Sequence, residues 1–367
     1  MVKTGSAIVD TSEKLLNDGR QEELDLARGF AILFMIIVHI LETFSTDLVY
    51  YSKFGVFIEF LGSPPAAPVF MFLLGIGTIY SKRQTPSKLV KRGVFLFIGG
   101  YVHNIFRSTI PYYLGVYLNI IKAGDPNYTS VLNTLDFDIL QFAGLALIFI
   151  AILKKLNTNI IFYPIIGILV SIVSPFLWGA KSGIFAIDLL TYPLFGTEYY
   201  IYFPFFPWIV YPLFGAFFGY FLIRTENKDR LYNISAILSI VVFVIGAVYM
   251  YNNPSIDLGL KDEGNYYRHG ILGVCMFTSI VLIWTTILNY VKDKIPKAIK
   301  SIMYFWSRYV TEIFVIHWIL IGIAILILGL NKMDLLSTII AMILSVIITD
   351  RVTFLYVNKV KKKLRKN

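Results

Sequence analysis

Cysteine is all but absent: Cys275 is the single one, and it sits inside an apolar stretch, so neither an intrachain disulfide nor a thiolate metal cluster can be built. Charge is scarce too, at 15% of 367 residues against 57% hydrophobic, with a mean hydropathy of +0.69. A soluble chain of this length would have too little polar surface to cover itself. No polar segment is long enough to fold as a domain of its own. There is no Gly-rich phosphate loop followed by Lys, no His-Glu-x-x-His and no Gly-x-Ser-x-Gly. Those absences disfavour an ATP-driven pump, a zinc protease and a serine hydrolase. Residues 1–28 are polar with charges of both signs, unlike a cleaved signal peptide.

Apolar stretches of spanning length take the place of those motifs. They recur at about residues 29–48, 64–80, 90–107, 138–153, 159–178, 204–223, 232–251, 270–290, 302–329 and 335–357. The expected fold is all-α: a polytopic membrane protein of about ten transmembrane helices. Segments 54–63 and 109–121 are too short to span and read as interfacial or re-entrant. Of the 33 Lys and Arg residues, 24 fall in segments 1–28, 80–92, 154–155, 224–230, 291–300 and 358–367. These lie at the N-terminus, after each even-numbered span and at the C-terminus, which places all six, and both termini, in the cytoplasm. The opposite loops carry acids, including Asp47, Asp125, Asp188, Glu198, Asp257, Asp262, Glu263 and Asp334. The net charge of +10 is therefore mostly a topology signal, and nucleic acid is not needed to explain it. The chain divides into a cytoplasmic segment 1–28, a transmembrane domain 29–357 and a basic tail 358–367 suited to anionic lipid headgroups.

Arg28 and His39 bound an apolar stretch with ten residues between them and no other polar side chain. Eleven helical steps return a residue to within about 20° of its starting face and carry it roughly 16 Å along the axis. A cation at the membrane edge thus shares a helix face with an imidazole near mid-bilayer. Ionisable groups at that depth are costly and mark functional sites. The structural alternative is a histidine hydrogen-bonded to a neighbouring helix. Glu42 stands one turn above His39, and Asp25 lies three residues before Arg28, in reach of it.

Other polar residues border the spans. Lys91 and Arg92 mark an inner edge, and His103 repeats the eleven-residue spacing from Arg92. Asp136-Phe-Asp138 precedes a helix on which Asp138 and Gln141 share a face; a metal motif and simple helix capping both fit. Arg308 and Glu312 are one turn apart, with His317 following. Asp350 and Arg351 can neutralise each other. Tyr199, Tyr200, Tyr202 and Trp208 can form an interfacial aromatic belt or stack on a flat ligand.

The stretch from Leu24 to His39, Leu-Asp-Leu-Ala-Arg-Gly-Phe-Ala-Ile-Leu-Phe-Met-Ile-Ile-Val-His, resembles the opening of the heparan-α-glucosaminide N-acetyltransferase catalytic domain and its relatives. The Arg, ten residues, His spacing is similar to the signature of the broader acyltransferase-3 membrane family. Ala67-Pro-Val-Phe-Met-Phe-Leu-Leu-Gly75 resembles the second span, Asp138-Ile-Leu-Gln-Phe-Ala-Gly144 a Leu-Gln-x-x-Gly helix, and the stretch from Phe203 to Gly215 a Pro-x-x-Pro-Trp motif. Trp306 to His317 resembles a penultimate helix ending in His, with departures at Trp306-Ser-Arg and at Glu312.

The resemblance implies a multi-pass enzyme of the cell membrane that moves an acyl group from cytoplasmic acyl-CoA, acetyl-CoA foremost, to a sugar hydroxyl or amine on the far side. On that reading Arg28, Lys91 and Arg92 hold the coenzyme phosphates. His39 acts as base or as acylated nucleophile with Glu42 beside it. Asp138, Gln141, Trp208 and His317 contact the acceptor. The expected partners are acyl-CoA, a glycan and lipid, with neither a metal nor nucleic acid, and a homo-oligomer is left open. Two alternatives stand beside it: a proton-coupled transporter relaying through His39, Glu42 and His103, and a polyprenyl-linked glycosyltransferase using Asp47, Asp136 or Asp138.

Overall fold

The computed structural model describes residues 15–80, 85–196, 198, 200–258 and 266–361. The acids Asp262 and Glu263, Tyr199, residues 1–14 and the end of the basic tail lie outside these residues. Among the described residues no strand forms; isolated bridges join Ser45 to Met333 and Phe137 to Ile201.

The principal helices are α1 (Glu22–Phe44), α2 (Lys53–Gly62), α3 (Ala67–Tyr80), α4 (Pro86–Asn104), α5 (Ile110–Tyr117), α6 (Ile139–Lys155) and α7 (Phe162–Leu177). They continue with α8 (Val210–Arg224), α9 (Lys228–Asn252), α10 (Ile271–Val291), α11 (Lys297–Arg308), α12 (Val310–Leu328) and α13 (Leu335–Leu355). All ten apolar stretches are helical. By length and composition, seven segments among the described residues can cross a membrane: Glu22–Phe44, Lys53–Tyr80, Phe205–Arg224, Lys228–Asn252, Ile271–Lys294, Val310–Leu328 and Leu335–Lys359. Helices α4, α6 and α7 are shorter or more polar and fall outside that set.

Three segments differ from the sequence reading. Residues 54–62 lie within α2, which a turn at residues 63–66 joins to α3, so that the two together make up the apolar segment Lys53–Tyr80. Residues 109–121 are largely a continuation of α4, which passes through a π-helical turn at Ile105–Thr109 into α5. Pro111 explains the turn: it has no N–H to offer the Arg107 carbonyl, and its ring crowds that carbonyl, so the helix widens. The apolar stretch 302–329 is broken, since Tyr309 leaves helical geometry (φ −116°, ψ 32°) between α11 and α12.

Helix α1 is the centre of the bundle, packing against α2, α3, α10, α11, α12 and α13. Around it α4 pairs with α6, α3 with α8, and α9 with α10. The α3–α8 crossing depends on Gly75 and Gly215. A Cβ on Gly75 would stand 2.0 Å from the Pro212 carbonyl oxygen, and one on Gly215 1.9 Å from that of Phe72. Small residues at such crossings let helix backbones touch, which is how apolar helices associate without a hydrophobic driving force. Helices α9 and α13 are peripheral. Ile237, Leu238, Val241 and Ile245 of the first, and Ile343, Leu344 and Ile347 of the second, are exposed. That much outward apolar surface suits lipid rather than water.

Candidate active site

The matched phase of Arg28 and His39 has a structural counterpart. Both line one cavity of about 720 Å³, together with Glu42 from the next turn of α1. Fourteen steps from Arg28 to Glu42 make the cavity wall roughly 21 Å long on α1 alone. Arg28, Arg92, Ser307 and Arg308 line the end at the α1 N-terminus. Glu42, Glu59, Arg107, Asp136, Asp138 and Asn331 line the other end. Between them the wall is apolar, with Met35, Phe70, Leu73, Leu74 and Phe314.

Arg28 is held rigidly at its end. Its Nη1 donates to Ser307 Oγ at 3.0 Å and lies 3.6 Å from Asp25 Oδ1, and the Ser307 hydroxyl donates to the same carboxylate at 2.5 Å. A guanidinium has five donors, so most of Arg28 remains for a ligand. Arg92 joins it in the lining and Lys91 does not, although both are exposed.

His39 lines the cavity between Arg28 and Glu42. Its Nδ1 lies 3.2 Å from Nε2 of His317, with the two rings nearly parallel at 15° and 5.4 Å between centroids. The Trp318 ring packs on His39 at 4.3 Å. His317 is fully buried, outside the lining, and its Nδ1 has no partner among the described residues. His317, expected to contact an acceptor, lies against His39 and outside the cavity lining. With Nδ1 of His39 taken, Nε2 is the nitrogen left for the cavity. If Nδ1 carries the proton and donates to His317, Nε2 has a free lone pair, the form a general base needs.

His103, eleven residues after Arg92, is buried against Phe314 with no partner on either ring nitrogen among the described residues. It is not a hydrogen-bonded link to His39, as the proton-relay alternative would require. His269 is spoken for at both nitrogens, by the Tyr211 hydroxyl at 2.7 Å and the Tyr266 carbonyl at 2.6 Å.

The π turn presents Arg107 to the far end. Its Nη2 donates to Asp136 Oδ2 at 2.8 Å and its Nη1 to Asp138 Oδ2 at 3.1 Å, while the guanidinium lies 4.5 Å from the Trp318 ring centroid. Helix α12 can come this close because its Gly322 has no side chain; a Cβ there would stand 2.2 Å from the Arg107 carbonyl oxygen. Asp138 also caps α6, accepting from the Ile139 N–H, and Gln141 closes the capping box by accepting from the Asp138 N–H. Gln141, expected to contact the acceptor, further donates to the Asp136 carbonyl and is buried outside the lining. Trp208 likewise lies outside the lining. It is fully buried, donates to the Tyr267 carbonyl at 2.9 Å and packs on Phe203 and Tyr266, whereas Tyr202 does line the cavity.

Sequence reasoning left Arg107, Trp318, Glu59 and Ser307 unassigned. Arg107 had a signal: a cation at the end of a span remote from the basic loops, four residues before a proline.

Residues 21–350 match the acyltransferase-3 family, whose model is described as an acyltransferase domain. The chain belongs to this family, the broader of the two it resembles. Family membership and the apolar helices together mark a membrane acyltransferase. No curated protein matches the chain.

Proposed function

We propose that the chain moves an acyl group from acyl-CoA, entering at the Arg28 end, to a sugar hydroxyl or amine that enters at the Glu42 end. One observation carries this reading: a single cavity has cations at one end, an imidazole along its wall and acids at the other, with Arg28, His39 and Glu42 on one helix face. The residues fit an acyl-CoA donor. Arg28, Arg92 and Arg308 suit the coenzyme phosphates, and the apolar stretch past Met35 and Leu73 suits a slender acyl-bearing arm. The volume is in the range of ordinary small-molecule sites. The basic loops orient the Arg28 end toward the cytoplasm.

In this reading Nε2 of His39 removes the proton from the acceptor hydroxyl or amine as its oxygen or nitrogen attacks the thioester carbon. The C–O or C–N bond forms, the C–S bond breaks, and His39 returns the proton to the departing thiolate. His317 accepts the Nδ1–H of His39 throughout, fixing the tautomer and steadying the imidazolium that forms midway. Lys91 is outside this scheme, and Glu42 stands by to orient the acceptor one turn above His39. The test is incubation of the purified protein with radiolabelled acetyl-CoA and a panel of glycans. Labelled glycan with the wild type and none with His39→Ala supports the reading; label transfer to no glycan would oppose it.

A further inference from the structure

We propose that the acceptor is an uncharged or ammonium-bearing polyhydroxylated molecule, that anionic sugars are rejected, and that Asp136 takes one of the acceptor's O–H or N–H donors. This rests on the proposed function. The two ends of the cavity are opposite in charge: three arginines line one, and Glu42, Glu59, Asp136 and Asp138 line the other against Arg107. Arg107 does not turn that end positive, because its single charge is balanced by two carboxylates: Nη2 donates to Asp136 and Nη1 to Asp138, with the guanidinium plane against Trp318, while its Nε has no partner among the described residues. Asp136 is only 2% exposed, yet just one of its carboxylate oxygens is engaged. Oδ1 accepts no hydrogen bond among the described residues. A buried carboxylate with an unused acceptor position is costly. Asp136 lines the cavity, so a donor on the acceptor relieves that cost. A carboxylate or phosphate on the acceptor would face acids on most sides, at short range and in a low dielectric.

Three acceptors alike except at one substituent test this: methyl glucoside, methyl glucosaminide and methyl glucuronide, each with acetyl-CoA and the full-length protein. The expected kcat/KM for the glucuronide is at least about tenfold below that for the glucoside, with the glucosaminide no worse than the glucoside. Asp136→Asn should raise KM for the glucoside with acetyl-CoA binding unchanged. Asp138→Asn keeps an N-cap of equal quality, so α6 remains capped, and it should narrow the glucuronide deficit at least about threefold. Equal use of the glucuronide, or a deficit that Asp138→Asn leaves unchanged, overturns the proposal while leaving acyl transfer to sugars intact. Acylation of none of the three, with the acyl group passed and coenzyme A thiol released only when other acceptors are supplied, overturns the sugar reading and this proposal with it.

Discussion

Nδ1 of His39 and Nε2 of His317 lie 3.2 Å apart, although 278 residues separate them in the chain. The contact engages Nδ1 of His39 and leaves its Nε2 toward the cavity; when Nδ1 is the donor, Nε2 carries the free lone pair. A lone histidine at this depth would be free to take either tautomer, and only one of them can act as a base.

His317→Ala should therefore lower kcat by about 10²–10⁴-fold with little change in acyl-CoA affinity. His317→Gln offers a carbonyl acceptor in place of Nε2 and should recover part of that loss. Steady-state kinetics on the two variants separate an orienting role from simple packing, because packing alone would not favour glutamine over alanine.

Arg92→Ala should weaken acyl-CoA binding and flatten its salt dependence while kcat changes less. Arg28→Ala should weaken binding more, by about 1.5–3 kcal/mol for each charge-assisted hydrogen bond lost, since Arg28 is fixed by Ser307 and Asp25. Lys91→Ala, outside the lining, should leave affinity unchanged. Titration with a non-hydrolysable acetyl-CoA analogue reads all three; equal losses at Lys91 and Arg92 would mean that the donor lies elsewhere.

Gly322→Ala tests the closeness of α12 to the π turn. Its Cβ would press on the Arg107 carbonyl, so the helices must part, at about 1–3 kcal/mol. A lower melting temperature in detergent, with a raised acceptor KM as Arg107 shifts, is the expected result. An unchanged KM would detach Arg107 from the acceptor end.

The division between what the sequence shows and what it hides follows distance along the chain. The Arg28–His39 phase, the Arg28–Asp25 ion pair and the Asp138–Gln141 cap all depend on spacings within one helix, and helical period alone brings them out. The His39–His317 contact and the Arg107–Asp136 pair join different helices, and no local period encodes which helices meet. Lys91 and Arg92 are equally basic and adjacent; only the direction of α4 relative to the cavity separates them. Trp208 has the composition of an interfacial aromatic, but the fold buries it in a cluster with Phe203 and Tyr266.

Topology is open to a direct reading. With ten spans, a reporter fused after Asn367 should be cytoplasmic and one inserted at Gly264 external. Seven segments among the described residues are long and apolar enough to cross by themselves, so the ten-span count requires that α4, α6 and α7 cross as well, supported by their neighbours. A cytoplasmic signal at Gly264 would remove at least one of them.

The most direct measurement is acyl transfer by His39→Ala, made on protein shown to insert in the membrane and to bind the acetyl-CoA analogue as the wild type does. If Nε2 of His39 is the base, the variant binds donor normally and transfers no detectable acyl group. A well-inserted His39→Ala variant that still acylates its acceptor at the wild-type rate would contradict the assignment of His39 and move the chemistry away from the centre of this cavity.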